Sequence, residues 1–413
     1  MRILLWHGYL LDGTGSNVYT RAIAREWSRA GHDVVVFSQD PRPERYDLGG
    51  AETRRPDIGG VLPVFVLDRY EGLEPRLLQT LTRDERQRYV ERNAAALTAE
   101  LPADLVFANH ALPGGAVAAA SGARFAVKVH GSELEYSLRS APELQHEAHA
   151  ALAEADAVFV GSAHIRSVLE DILGHLDRVH EVPPGVDVDE FAPEPRDQAL
   201  ACLVEECRRD PPNPGNREER LPDEGNAERL ASFFADDEPT VVYVGKLLRN
   251  KGVHLLFGAL GDVDARAVIV GFGDYRDELE RIAPSRSLFT GPLEHRHLVH
   301  LLPLADVSVV PSIFPEAFGM VAAEAAAAGC PPLVARHTGL AEIAAGVEEV
   351  YPPERRALAG FASGDARDLA AKLRMLLELP PDERALLGAA ARRAAVARWS
   401  WAGVAGRLLE PFA

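Results

Sequence analysis

Two glutamates, Glu316 and Glu324, bracket the triplet Phe318-Gly319-Met320 in the stretch IFPEAFGMVAAEAAAAGCP. Pro311 ends the apolar run before it, and Pro315 and Gly319 delay the start of a helix. Ala322 to Ala328 is strong helix-forming sequence, with Gly329 placed as a C′ residue. Glu316 is therefore predicted in the loop at a helix N-terminus, and Glu324 on the helix itself. Exposed N–H groups around Phe318, Gly319 and Met320 make an anion site suited to phosphate, and Gly319 lets a ligand approach the backbone. A carboxylate on such a helix can accept hydrogen bonds from a diol such as ribose. Spacing alone leaves a second reading equally open, an acid favouring the helix dipole plus an exposed glutamate.

In YVGKLLRNKGVHLL, Lys246 follows a strand and a glycine, and Lys251 precedes Gly252 at the next helix start. Two cations at the C-terminal end of one strand can neutralise a diphosphate and stabilise it as a leaving group. Taken singly, each reads as a solvated loop lysine. His130, in VKVHGSELEYS, ends a strand at a sheet's carboxyl edge; alone among 14 histidines it reads as one satisfied by neighbouring backbone. In WHGYLLDGTGSNVYT, Gly13 and Gly15 match part of G-x-G-x-x-G, but Val18 fills the third glycine position. The loop from Trp6 is also longer than that fingerprint allows, which counts against a nicotinamide oxidoreductase using Gly13, Gly15 and Asp40, kept as an alternative.

These residues need elements to hold them at strand ends. Short apolar runs alternate with amphipathic segments almost throughout. RILLW leads through a loop to Val18, Ala22, Ile23 and Trp27 at helical spacing; Gly31 stops that helix and DVVVFS follows. DLVFAN, RFAVKVH, DAVFVGS and RVHEVP continue the series, and PTVVYVG, RAVIVG, SLFTG and VSVVPS form a second one. Continuous apolar strands separated by helices imply parallel sheets covered on both faces, hence an α/β fold with two Rossmann-like domains facing one another. Between the series, PPNPGNREERLPDEGN (Pro211 to Asn226) has little to bury and reads as a mobile insertion or loop. Just before it, Leu200, Leu203, Val204 and Cys207 form a helix stripe suited to packing. The expected division is a Rossmann-like domain over 1–193, an insertion or linker over 194–237, a second Rossmann-like domain over 238–395, and a final helix over 396–413.

The totals bound the partners. A chain of 413 residues, 47% apolar, carries more than one domain and sizeable cores. A net charge of −18 argues against nucleic acid and anionic lipid, so an anionic ligand must be captured locally. Three cysteines cannot form a disulfide framework and point to a reducing cytoplasm. Cys202 and Cys207 have no second pair and no histidine at zinc-finger spacing, which argues against zinc. The apolar run after Met1 is too short for a signal-peptide core, and the longer apolar segments are interrupted, as by Asp306, so no membrane insertion is expected.

In order, these segments resemble the retaining glycosyltransferases of family 4, which have the GT-B architecture of two Rossmann-like domains facing across a cleft. The most specific part runs from FTGPLEHRHLVHLLPLADVSVVPS through EAFGMVAAEAAAAGCPPLVARHTGLAEI, where Glu316 and Glu324 match the family's E-x7-E pair. VGKLLRNKG, VIVGFGDYRDELE, HGSELEY and PPGVDVDEFAP stand in the family's order. The resemblance implies transfer of a sugar from a nucleotide diphosphate sugar to an acceptor hydroxyl, with retention, the first domain binding the acceptor, the second the nucleotide sugar, and the final helix packing back towards the first domain. The acidic balance favours a small soluble acceptor over a lipid, and a monomer or homodimer is expected. It implies that Glu324 binds the donor ribose, that Glu316 lies beside the donor sugar, and that the amides of Phe318, Gly319 and Met320 hold sugar and phosphate oxygens. Lys246 and Lys251 would bind the diphosphate, His130 would sit at the sugar, Gly13 and Gly15 would approach phosphate or acceptor, and Leu293 would wall the nucleobase. His130, Glu316, Lys246 and Lys251 make up the implied catalytic set.

With lysines and helix N–H groups stabilising the departing phosphate, no metal or other cofactor is required. Departures from the family pattern are Lys246 in place of arginine, Pro184 in place of asparagine, and Asp12-Gly13 in place of Gly-Gly. Asp12 is assigned to the acceptor side. A nucleotide-sugar epimerase of the same architecture and a non-catalytic sugar-binding protein remain alternatives, and the choice among UDP, GDP and ADP is open.

Overall fold

Ile3, Leu4, Leu5 and Trp6 are all buried, as are Val34 to Phe37 and Leu105 to Asn109, so these strands are covered on both faces. Such burial requires helices above and below a parallel sheet. The computed structural model describes residues 1–67, 70 and 72–413. It divides into two units, Met1–Pro184 with Trp401–Ala413, and Gly185–Ser400.

The first unit is built on seven strands in the order Glu52–Arg54, Asp33–Phe37, Arg2–Trp6, Leu105–Asn109, Phe125–Lys128, Ala157–Val160, Val179–Glu181. Every pairing is parallel. The order reverses between Arg2–Trp6 and Leu105–Asn109, which opens a crevice at their carboxyl ends. Helix Gly15–Arg29 follows the first strand, and Gly31, at φ 87°, turns the chain out of it. Its buried face is carried by Tyr19, Thr20, Ile23 and Trp27, whereas Val18, expected on that face, is exposed. Tyr19 and Thr20 win the inward positions because they meet the strand ends, Tyr19 against His130 and Thr20 Oγ1 accepting from Asn109 Nδ2 at 3.3 Å.

The final segment is broken rather than one helix. Trp399 packs in the second unit near Phe318, Ser400 is extended at φ −60° and ψ 138°, and helix Trp401–Leu409 belongs to the first unit. There Trp27 Nε1 donates to Ala405 O at 2.9 Å, and Trp401 meets Tyr19 edge-on at 5.6 Å.

The second unit has six parallel strands in the order Ser287–Phe289, Arg266–Val270, Thr240–Val244, Val307–Val310, Pro332–Ala335, Gly360–Phe361. In chain sequence this is 3-2-1-4-5-6, the doubly wound nucleotide-binding order, with its switch point between Thr240–Val244 and Val307–Val310. Two helices, Arg196–Arg208 and Asn226–Phe233, lie within the span expected to be an insertion or linker, yet Leu203, Val204, Cys207, Ala227 and Leu230 are part of this unit's core. Among the described residues no helix is long and apolar enough to cross a membrane.

Candidate active site

At the switch point of the second unit the loops after Thr240–Val244 and Val307–Val310 touch backbone to backbone. Gly252, at φ 76°, sits so close that a Cβ would fall 2.0 Å from Pro311 O. Asn250 O accepts from Ile313 N and Phe314 N at 2.9 and 3.1 Å. This contact delivers Lys251 to Glu316: Nζ lies 2.5 Å from Oε1, and the two side chains are 21% and 25% exposed. Ser312 Oγ donates to the same oxygen at 2.9 Å, and the ammonium lies 5.0 Å from the Phe314 ring centroid.

The Glu316 backbone is held by a third loop. Its N–H donates to Thr338 Oγ1 at 3.0 Å, and its carbonyl accepts from Gly339 N at 2.9 Å. Thr338 adopts φ 47°, an uncommon conformation for a β-branched residue. His337 Nε2 donates to Ser312 O at 2.6 Å and ties that loop down. Ser312, His337 and Thr338 had no role in the sequence reading; Ser312 bonds Glu316 within one loop, while His337 and Thr338 reach across 25 and 22 residues from another.

Helix Met320–Ala327 starts at Gly319, whose φ of 121° and whose 2.6 Å gap from a would-be Cβ to Leu340 Cδ2 both require glycine. By helix geometry the first-turn N–H groups have no intrahelical partner. The Phe318 ring is buried against Trp399, so Phe318 offers only backbone, and Met320 is partly buried. Glu324, on the same helix, is partly exposed by area, but protein surrounds its carboxyl; burial raises its pKa and the charge of His295 opposes that. Burial lowers His295, but its bond to Glu190 at 2.8 Å and the charge of Glu324 outweigh this and raise it. Leu293 is partly buried two residues earlier, and Lys246 is exposed.

The first unit gathers three histidines that the sequence had scattered. His7 and His110 directly follow the two strands flanking the switch point, and His130 follows Phe125–Lys128 after Val129. His110 lies 4.8 Å from His130 and 6.2 Å from His7, ring to ring. Tyr19 meets His130 edge-on at 5.1 Å. Glu133, fully buried, accepts from His130 N at 3.0 Å and places Oε2 3.3 Å from His110 Nδ1. Burial alone would raise the Glu133 pKa; His110 and the backbone donor overcome that and lower it. Burial depresses His7 to about 3 and His130 well below its usual value, with neighbouring charge adding to both. Lys128 is pushed down to about 7 by burial.

Asn109 fixes the tautomer of His130. The amide Nδ2 donates towards Trp6 O and Thr20 Oγ1, so Oδ1 accepts from His130 Nε2–H at 2.7 Å. Nδ1 of His130 is left with its lone pair, able to accept from a hydroxyl.

The loop bearing Gly13 and Gly15 starts helix Gly15–Arg29, with Gly13 at φ 94°. Asp12 is exposed, 3.9 Å from Arg21, and its carbonyl accepts from Asn17 Nδ2. Asp40 accepts from Leu11 N at 3.0 Å and Arg42 N at 2.9 Å, so both its oxygens hold loop backbone instead of waiting for a ribose. Folding does bring Cys207, Asp210 and His297 together. However, His297 Nδ1 accepts from Glu294 N at 3.1 Å, which puts the ring proton on Nε2, the atom facing Asp210. That tautomer has no lone pair at Nε2 for a metal.

Comparison with known proteins agrees with this geometry. The family model for Glycosyltransferase Family 4 matches residues 13–190, and that for Glycosyl transferases group 1 matches residues 226–394. A GDP-mannose-dependent monoacylated alpha-(1-6)-phosphatidylinositol monomannoside mannosyltransferase of Corynebacterium glutamicum is 26% identical over 72% of this chain and 72% of its own. A D-inositol 3-phosphate glycosyltransferase of Xylanimonas cellulosilytica is 31% identical over 61% of this chain, and the match spans only 56% of that protein's length. Among solved structures, Anabaena HepE in complex with UDP superposes with a TM-score of 0.67 at 18% identity, covering 99% of each chain. The two matched halves and the paired parallel sheets give one conclusion: this chain belongs to glycosyltransferase family 4 and has the GT-B fold.

Proposed function

We propose that this protein transfers a hexosyl group from a nucleoside diphosphate sugar to a hydroxyl of a small soluble acceptor, retaining the anomeric configuration. The observation that carries this reading is the Lys251–Glu316 pair at the switch point, beside a helix N-terminus that begins at Gly319. As the bond from the anomeric carbon to the β-phosphate oxygen lengthens, negative charge grows on the phosphate. Lys251, Lys246 and the N–H groups around Phe318, Gly319 and Met320 stabilise it without a metal. The acceptor oxygen bonds the anomeric carbon on the face the phosphate leaves, and its proton passes to the departing phosphate oxygen.

Glu316 accepts from hydroxyls of the donor sugar, and Glu324 from the ribose, with Leu293 against the base. His130 contributes the Nδ1 lone pair to a sugar hydroxyl; burial keeps the ring neutral, so it adds no charge there. Gly13 and Gly15 allow close approach of phosphate or acceptor, and Asp12 lies on the acceptor side. A soluble acceptor is supported by the net charge of −18, which disfavours anionic surfaces; of the relatives named above, one names D-inositol 3-phosphate and the other a phosphatidylinositol mannoside, so experiment must decide the acceptor. Relatives and neighbours name both GDP-mannose and UDP, so the base is a matter for experiment.

The test is a thermal-shift panel of UDP, GDP, ADP, their sugars and NAD, with and without EDTA. A nucleoside diphosphate at 100 times its Kd should stabilise the protein by about 2.7 kcal/mol, with no effect of EDTA. Stabilisation by NAD alone would overturn the reading. Donor conversion to a different free sugar without acceptor would establish the epimerase instead.

A further inference from the structure

The stretch from Pro211 to Asn226 has no part in the site described so far, yet it is tightly organised. Asn213 is buried; its Nδ2 donates to the carbonyls of Glu218, Leu221 and Pro222, and its Oδ1 accepts from Glu218 N at 3.0 Å. On the other side Gly215 N donates to Glu224 Oε2, and Glu224 N to Asn216 Oδ1, both at 2.8 Å. Far from being a loose linker, this is a loop closed on itself.

Asp223 fastens the loop to the second unit. Its side chain is 2% exposed and accepts from both terminal nitrogens of Arg276, at 2.9 and 2.6 Å. Asp223 N and Asn226 Nδ2 both donate to Thr290 O at 2.8 Å. At Gly291 a Cβ would fall 2.7 Å from Asp223 Oδ1. Thr290 and Gly291 follow strand Ser287–Phe289 directly, and Gly271 N donates to Gly291 O at 2.9 Å. The loop therefore stands on the carboxyl ends of Ser287–Phe289 and Arg266–Val270, the outer two strands on one side of the switch point.

There the Arg220 guanidinium lies 6.0 Å from the ring centroid of Phe272, a residue between two glycines that end Arg266–Val270. Arg220 is exposed and, among the described residues, its side chain makes no ion pair. Gly291, against which Asp223 packs, stands two residues before Leu293, so on the donor reading, with the diphosphate at Lys251 and the ribose at Glu324, the base would lie at this edge. Glu324 is near enough to His295, two residues past Leu293, to feel its charge.

We propose that the 211–225 loop is the outer wall of the nucleobase subsite and that Arg220, over Phe272, reads the base. The proposal rests on the donor reading above. A guanidinium is a plane of donors with no acceptor, so it favours uracil or guanine, which present ring carbonyls, over adenine, which presents an amine.

Isothermal titration of the full chain with UDP, GDP, ADP and inorganic pyrophosphate tests it, using wild type, Arg220→Ala and Arg220→Lys. Arg220→Ala should weaken the preferred UDP or GDP about tenfold and narrow its margin over ADP, the loss of one charge-assisted hydrogen bond. Pyrophosphate affinity should stay within about twofold, because Arg220 faces the base and not the phosphates; Arg220→Lys, lacking the planar fork, should recover only part of the loss. Nucleotide affinities unchanged in Arg220→Ala, or pyrophosphate weakened as much as the nucleotides, would overturn the assignment of Arg220. If wild type binds pyrophosphate but no nucleotide better, the donor reading itself fails and the inference falls with it.

Discussion

Replacing Lys251 by methionine removes the charge at the switch point while keeping most of the side chain's length. Two quantities should separate. The pair with Glu316 is partly exposed, at 21% and 25%, so its loss should cost the fold about 1 kcal/mol or less, a fall in Tm of about 2–4 °C. Glu316 keeps its bonds from Ser312 Oγ and through its backbone to Thr338, which limits rearrangement. Catalysis should suffer far more. A positioned donor facing a developing oxyanion is worth about 10²–10³ in kcat, about 2.7–4 kcal/mol. The ground-state diphosphate already carries charge, so nucleotide affinity should also fall, by about tenfold or more. The assay is donor turnover followed by nucleotide release, with the nucleotide sugar that stabilises the protein most, alongside nucleotide titration at 50 and 300 mM salt. Wild-type affinity should be the more salt-dependent, since Lys251 meets its ligand partly exposed. A variant that retains kcat/KM within threefold while folding normally would refute the argument that this lysine stabilises the leaving group.

Other outcomes follow from the same structure. Gly319→Ala forces a Cβ to 2.6 Å from Leu340 Cδ2 at a φ of 121°; thermal unfolding should show a loss of about 1–3 kcal/mol, and nucleotide binding should weaken with the distorted helix start. Asp223→Ala leaves Arg276 without its bidentate partner and releases the 211–225 loop; a cost of about 3 kcal/mol should lower Tm by about 6–12 °C. His7 is buried neutral with its pKa held to about 3 against 6.5 unfolded, so below pH 6.5 the unfolded chain binds the extra proton and stability falls as pH falls. At pH 5 this single group should cost about 2 kcal/mol relative to pH 8, and urea midpoints of His7→Asn should show a shallower pH slope over that range.

The order of elements was legible in the sequence because continuous apolar strands and capped helices leave local signatures. Ile3 to Trp6 or Val241 to Tyr243 could only be strands covered on both faces, and the run from Pro311 to Gly329 declared its loop, helix start and C′ glycine. The motif order also pointed to the family, and Lys251 and Glu316 were singled out although 65 residues separate them. What local pattern could not encode is which distant side chains meet, since that depends on strand order and on loop contacts at the carboxyl edge. His7 and His110 join His130 only because the sheet reverses its order between Arg2–Trp6 and Leu105–Asn109. Thr338 reaches Glu316 through a left-handed backbone that no β-branched residue advertises. The charged stretch after Arg208 read as a loose linker because its composition buries little. Folding made it a fixed loop through one buried carboxylate, Asp223, meeting an arginine 53 residues further on. Periodicity reports whether a residue is covered, and only the tertiary structure decides by what.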